Sequence, residues 1–187
     1  MSAFSSIPAA ERPHGRLLFR VDRVLPVVFA SVLLLTACSQ STPAAKPLEI
    51  TKDTACSLDG MVLMDFPGPK AQIQYEQGPP DFFCDTKEMF ATFLRPEQKK
   101  RIVGIYTQDM AKTDWAHPQG SWIDAKTAFY VVGSRREGSM GPTVGSFASE
   151  ADAQTFTKTY GGKVLHFEQV TLDMVDLSGG VMRDRHM

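Results

Sequence analysis

The chain has 187 residues and a formal net charge of −1, from 20 Lys and Arg against 21 Asp and Glu. Without a basic excess there is no reason to expect nucleic acid as a partner, and we predict none. Once the N-terminal segment described next is set aside, about one domain's length of chain remains.

The N-terminal segment has the features of an export signal. Four arginines precede an apolar run from Val24 to Leu35. A dozen or so apolar residues are too few to span a bilayer and suit the hydrophobic region of a signal peptide. The run ends in Leu35-Thr36-Ala37-Cys38, which resembles the lipobox of bacterial lipoproteins. We therefore predict a signal peptide over 1–37 and lipidation of Cys38; an ordinary cleaved signal with an incidental cysteine is the alternative.

The segment after the predicted signal looks like a spacer. Residues 38–55 are rich in proline and in small or polar side chains, so we expect a flexible tether between lipid and fold. The signal contains four of the 20 Lys and Arg residues and two of the 21 Asp and Glu residues, so the mature chain has a charge near −3. We therefore expect an exported protein that is anchored by lipid to a bacterial membrane.

A strand, a helix and a second strand are predicted in the first half of the mature chain. Apolar and polar residues alternate over 71–75, which indicates a half-buried strand. Asp85 and Glu88 have the spacing of a capping box, and the helix that they open should reach about Leu94, before Pro96. A second strand is predicted over 101–106.

The same order of elements returns later in the chain. A strand is predicted over 128–132, a helix capped by Ser149 should reach about Tyr160 and end at Gly161, and a strand follows over 163–167. Aligning the two copies pairs Asp85 with Ser149. The repeated order of elements thus predicts a tandem duplication in an α+β fold. Each unit alone is small for an independently stable domain, so we expect the two to pack together.

Sulfur is concentrated near the start of the predicted fold. Cys56, Met61 and Met64 lie within nine residues, and Gly60 permits a tight turn between them. A thiol with thioethers is the ligand type that a soft ion such as Cu(I) selects. The alternative is that the two methionines fill a core, as most methionines do.

Several motifs in order resemble the NosL family of lipoproteins, which are accessory to nitrous-oxide reductase. They cover nearly the whole mature chain: Cys56-x-x-Asp59-Gly60-Met61, Asp65-Phe66-Pro67-Gly68-Pro69-Lys70-Ala71-Gln72, Asp81-Phe82-Phe83-Cys84-Asp85, Trp122-Ile123-Asp124-Ala125 and Met140-Gly141-Pro142. Many relatives have Cys-x-x-Cys-Gly-Met, whereas this chain has Asp59 in place of the second cysteine. That difference excludes a two-thiol site within this motif.

The resemblance implies a periplasmic Cu(I) chaperone, not an enzyme. Such a protein would deliver copper for the copper–sulfur centre of nitrous-oxide reductase, together with an ABC-type membrane complex, and we expect it to be a monomer. The implied fold is a pair of ββαβ subdomains, similar to a domain of organomercurial lyases. The expected boundaries are 56–114 for the first subdomain, 115–127 for a joining segment, 128–180 for the second subdomain and 181–187 for a tail.

Four residues are predicted as ligands of the copper ion. Cys56 would supply a thiolate and Met61 a neutral thioether. Met140 lies in a glycine-bounded loop, where a core role is hard to assign, and His117 lies in a loop of the joining segment.

Cys84 aligns with Ala148 of the second copy, so we predict that it packs in the core as a small apolar residue. A disulfide between Cys56 and Cys84 is an alternative, since an exported protein meets oxidants. Two other functions stay open. One is a metal-free lipoprotein that docks on the maturation complex, and the other is a thiol-dependent enzyme, for which the sequence shows no general base beside Cys56.

Overall fold

The computed structural model describes residues 45–98 and 100–177, so the predicted signal peptide, Cys38 and the tail 181–187 lie outside the described residues. The first copy forms an antiparallel sheet with one helix. Its elements are β1 (Ala71–Tyr75), β2 (Asp81–Phe83), α1 (Thr86–Phe93) and β3 (Ile102–Gln108). The strand order is β2-β1-β3-β4, in which β4 (Trp122–Asp124) comes from the predicted joining segment.

The second copy repeats this topology. Its elements are β5 (Phe129–Val132), the short hairpin strands β6 (Glu137–Gly138) and β7 (Gly141–Pro142), β8 (Gly145–Phe147), α2 (Glu150–Tyr160) and β9 (Lys163–His166). The strand order β8-β5-β9 matches β2-β1-β3 of the first copy. The predicted α+β fold of two ββαβ units is therefore confirmed, and the β6–β7 hairpin is an insertion in the second unit.

Both helices begin at the predicted residues. The side chain of Asp85 accepts a hydrogen bond from the Lys87 N–H at 2.8 Å, and that of Ser149 accepts one from the Asp152 N–H at 3.2 Å. These are the side-chain caps that satisfy the free amides of a first helical turn. Neither helix of the described residues is long and apolar enough to cross a membrane.

One apolar core joins the two copies. Phe90 of α1 packs edge-on against Tyr130 of β5, with ring centroids 4.8 Å apart, and its ring lies 5.1 Å from that of Phe167. All three side chains are buried. Because α1 belongs to the first copy and the other two rings to the second, each copy completes the core of the other.

Strand β1 is buried on both faces, whereas the sequence predicted a half-buried strand. The Gln72 side chain donates to the Leu48 carbonyl at 2.8 Å and accepts from the Leu48 N–H at 2.9 Å, and Gln74 donates to the Lys46 carbonyl at 2.7 Å. We call residues 45–50 the N-terminal strap. The tether predicted over 38–55 is thus corrected from Ala45 onwards, because polar side chains of β1 hold the strap on the sheet.

Candidate metal centre

A tight turn presents the thiol of Cys56. The Gly60 N–H donates to the Cys56 carbonyl at 2.9 Å, and the Cys56 N–H donates to the Met61 carbonyl at 2.8 Å. Gly60 has φ 78°, a left-handed conformation that costs glycine little. The Ser57 N–H donates to the Phe82 carbonyl at 2.7 Å, which fixes the turn at the edge of β2. The turn therefore places Cys56 beside the end of β2, where Cys84 follows.

Two thiols and a carboxyl group meet at this position. The Sγ atoms of Cys56 and Cys84 lie 3.4 and 3.2 Å from Oε2 of Glu88, which is on the first turn of α1. All three side chains are buried. An oxygen of Asp59, on an exposed residue, joins them, and the four candidate ligand atoms lie within 4.8 Å of one another. We call these four residues the thiol cluster; it is buried except on the Asp59 side.

Proton affinities within the thiol cluster are strongly perturbed. The Cys84 thiol donates a hydrogen bond to the Cys56 sulfur, and backbone amides of Cys84, Leu58 and Asp59 assist, so the pKa of Cys56 falls to about 6 although burial opposes this. The same bond and burial raise the pKa of Cys84. Burial, followed by the charge of Cys56, raises the pKa of Glu88 to about 7. These shifts favour a thiolate at Cys56 and a protonated thiol at Cys84.

The carboxylate of Asp85 connects the thiol cluster to the second copy. Asp85 accepts hydrogen bonds from the hydroxyl of Thr143 at 2.6 Å and from that of Ser139 at 3.5 Å, in addition to capping α1. A Cβ on Gly138 would lie 2.4 Å from Asp85 Oδ2, so only glycine fits there. Burial raises the pKa of Asp85 to about 6. The β6–β7 hairpin is therefore packed directly against the residue that follows Cys84.

The predicted ligands differ in how close they lie to the thiol cluster. Cys56 belongs to it, and Met61 packs against the apolar group of Cys56, Leu63 and Cys84. Met140 follows Ser139, whose hydroxyl donates to Asp85 at 3.5 Å, and its side chain is 55 % exposed. The hairpin turn that carries Met140 is thus tied to the residue that follows Cys84.

His117 is not a member of the thiol cluster. It is exposed, and its Nδ1 lies 3.4 Å from Oδ2 of Asp114. Among the described residues it belongs to no group of three or more His, Cys, Asp or Glu side chains that could share an ion. A role of His117 as a ligand therefore stays a prediction.

Cys84 and Glu88 are the site residues that the sequence did not predict. Cys84 is buried, as expected of a core residue, but its sulfur lies in the thiol cluster and not among apolar groups alone. Glu88 was predicted to close a capping box, yet its carboxyl group turns to the two thiols. The closeness of Cys84 and Glu88 around the helix cap was a usable signal, because a residue just before an N-cap often packs against the first turn of the helix. Both cysteines are free thiols, so the alternative of a disulfide is not observed.

Fold and site together define a class of small α+β proteins built from two repeats, with a sulfur-containing candidate cation site. The NosL family model matches residues 47–175. The copper-binding lipoprotein NosL of Stutzerimonas stutzeri is 38 % identical over 140 residues, 73 % of each chain, and that of Achromobacter cycloclastes is 40 % identical over 155 residues, 80 % of each chain. The chain belongs to the NosL family.

A solved structure agrees with this assignment. The crystal structure of the copper chaperone NosL from Shewanella denitrificans superposes with a TM-score of 0.66 at 35 % sequence identity. The match covers 71 % of this chain and 99 % of that chain. The fold shared with that protein therefore includes both ββαβ units described here.

Proposed function

We propose that the protein is a Cu(I) carrier without catalytic activity, and that the thiol cluster with the adjoining methionines is its binding site. The observation that carries the proposal is the meeting of Cys56 and Cys84 around one carboxyl oxygen, with Met61 packed alongside. Thiolates and thioethers are the ligands that select Cu(I). The names of the relatives, copper-binding lipoproteins, support the same cargo.

The arrangement suits a protein that takes up and gives away its ion. The lowered pKa of Cys56 favours its thiolate as the first sulfur to bind, whereas the raised pKa of Cys84 means that binding by both sulfurs displaces a proton from Cys84. Asp59 of the cluster is exposed, and so is Met140 on the hairpin tied to Asp85, so a ligand of another protein can reach the ion. A closed cage of four buried ligands would hold the ion but would resist exchange.

We further propose where the ion goes and where the carrier works. Family membership supports delivery of copper for the copper–sulfur centre of nitrous-oxide reductase, with an ABC-type membrane complex as partner. The lipoprotein names of the relatives and the lipobox before Cys38 support a periplasmic protein held on a membrane by lipid. A monomer is the expected form.

The test is a Cu(I) titration of reduced protein against a competing chelator. We expect one tightly bound ion per chain, and loss of tight binding in Cys56→Ser and in Cys84→Ser. Affinity that is unchanged in both variants would move the site elsewhere. If both variants lose the ion yet still support maturation of the reductase in cells, the protein acts as a metal-free docking lipoprotein instead.

The methionines can be tested with a matched pair of variants. Met140 and Met174 are both exposed, but Met174 lies in the turn Leu172–Val175, outside the elements that carry the thiol cluster. Met140→Leu should weaken Cu(I) binding, and Met174→Leu should not. X-ray absorption of the loaded protein should count one sulfur neighbour fewer in Met140→Leu only. The variant His117→Ala should bind as the unmodified protein does.

One observation favours a second candidate, a thiol-dependent enzyme similar to organomercurial lyases. The sequence showed no paired cysteine and no evident general base beside Cys56, whereas the structure places Cys84 and Glu88 there. Two thiols can bind a soft metal while a carboxyl group supplies a proton to the carbon that leaves it. Turnover of an organomercurial by the purified protein would establish this activity, and stoichiometric binding without turnover would exclude it.

A further inference from the structure

A buried lysine lies directly behind the thiol cluster. The side chain of Lys70 is fully buried, and its Nζ donates to the carbonyl of Cys84 and to that of Pro67, each at 3.0 Å. Its backbone N–H is bound in turn by Oε1 of Gln108 at 3.0 Å. The ammonium group is thus held at the backbone of Cys84, the residue whose sulfur belongs to the thiol cluster.

No carboxylate of the described residues lies within 4.0 Å of this ammonium group, so it forms no direct ion pair there. Burying an unpaired charge costs free energy, and burial accordingly lowers the pKa of Lys70 to about 8. The negative groups that oppose this shift are Asp85, Cys84, Glu88 and Cys56, in that order. Lys70 is therefore a fixed cation whose nearest counter-charges are the thiol cluster and the cap of α1.

The donors of the cluster alone do not exclude divalent ions. Two thiolates with carboxylate oxygens are also a suitable set for Zn²⁺, which binds both sulfur and oxygen. A fixed positive charge behind the pocket acts differently on the two kinds of ion, because its repulsion is proportional to the charge of the ion. A divalent cation is repelled twice as strongly as a monovalent one.

We propose that Lys70 is the specificity-determining residue that lets the thiol cluster prefer a monovalent soft cation over a divalent one. The inference rests on the proposed copper-carrier function and adds the physical cause of its selectivity. Lys70 acts through the field at the cluster and through the carbonyl of Cys84, and it is not itself a ligand. As a general order of magnitude, a unit charge roughly 7 to 10 Å from a bound ion changes the affinity for that ion by roughly tenfold to fiftyfold per unit of ion charge, at an effective dielectric constant of about 20.

The test compares Zn(II) and Cu(I) affinities, each measured by chelator competition, in Lys70→Met and Lys70→Arg. Lys70→Met removes the charge at similar side-chain length, and we expect the ratio of Zn(II) to Cu(I) affinity to rise about tenfold or more. Lys70→Arg keeps the charge and should keep the ratio. Lys87→Met is the surface control, since Lys87 is partly exposed on α1 and should change the ratio far less.

The ratio separates a charge effect from general damage, because distortion of the cluster would weaken both ions. If Lys70→Met does not fold, Lys70→Gln retains one donor for the two carbonyls and serves in its place. A folded neutral variant with an unchanged ratio would overturn the inference while leaving the copper-carrier function intact. If the unmodified protein itself fails to bind Cu(I), the proposed function fails first.

Discussion

Asp85 and Thr143 are 58 residues apart in the chain, yet the Thr143 hydroxyl donates to the Asp85 carboxylate at 2.6 Å. The same carboxylate caps the helix that carries Glu88 and follows directly after Cys84. One buried side chain therefore positions two members of the thiol cluster and the hairpin that carries Met140. Substitution of Asp85 should therefore destabilise both copies.

Asp85→Ala should destabilise the protein by roughly 2–4 kcal/mol, because it removes a helix cap and leaves the buried Thr143 hydroxyl unpaired. Ser149→Ala is the matched control, since Ser149 caps the equivalent helix of the second copy. It should cost only about 1 kcal/mol. Urea unfolding measures the free energy of unfolding of both variants. Equal decreases would show that the contact of Asp85 with Thr143 contributes nothing to stability.

Glu88 should make the metal-free protein less stable as pH rises. Its pKa is raised from 4.5 to about 7, so the folded state binds the proton more tightly than the unfolded chain does. This contribution is fully present below pH 4.5 and is lost as pH rises through about 7, a change of up to about 3 kcal/mol. Urea unfolding between those pH values should show a smaller decline in Glu88→Gln; an identical decline would assign it to other groups, such as Asp85.

Cys84→Ala should raise the pKa of Cys56 from about 6 towards its ordinary value, because the hydrogen bond from Cys84 is the largest cause of the lowering. The pH dependence of alkylation by iodoacetamide reports the thiolate of Cys56 directly. In Cys84→Ser the hydroxyl can still donate to the Cys56 sulfur, so the pKa of Cys56 should rise less than in Cys84→Ala. An unchanged alkylation profile in Cys84→Ala would mean that the backbone amides alone stabilise the thiolate.

Gln72→Ala should release the N-terminal strap. Both hydrogen bonds to the backbone of Leu48 are lost, which we expect to cost roughly 1–3 kcal/mol and to speed hydrogen exchange of the Leu48 amide. Gln77→Ala removes a similar side chain from an exposed turn and should change neither measurement. Slow exchange at Leu48 in Gln72→Ala would show that other contacts hold the strap.

The sequence predicted the features that depend on neighbouring residues. Alternation over 71–75, the cap at Asp85 and the glycine stop at Gly161 each involve one short segment, and each lies where expected. The duplicated topology followed from repeating those local signals. Burial of the second face of β1 could not be predicted this way, because it requires the strap to return across the sheet.

The thiol cluster was only partly predictable for the same reason. Cys56 was identified by its neighbours, whereas Glu88 approaches it from 32 residues away along the chain. Cys84 aligned with an alanine of the second copy, so the comparison indicated a small core residue. It gave no sign of the thiol cluster, which only the first copy has. His117 was predicted from its residue type and its place in a loop, and the structure gives it a contact with Asp114, so its role as a ligand stays a prediction.

If Cys38 carries the proposed lipid, the N-terminal strap also limits how far the folded part of the protein can lie from the membrane. With lipid on Cys38, only seven peptide steps separate the bilayer from Ala45, where the Tyr106 hydroxyl first ties the chain to the sheet. Seven fully extended residues reach at most about 25 Å. The ion would then be exchanged in a thin layer next to the lipid surface. A partner embedded in the same membrane could be reached by two-dimensional diffusion, whereas a partner in bulk solvent would have to come to the membrane.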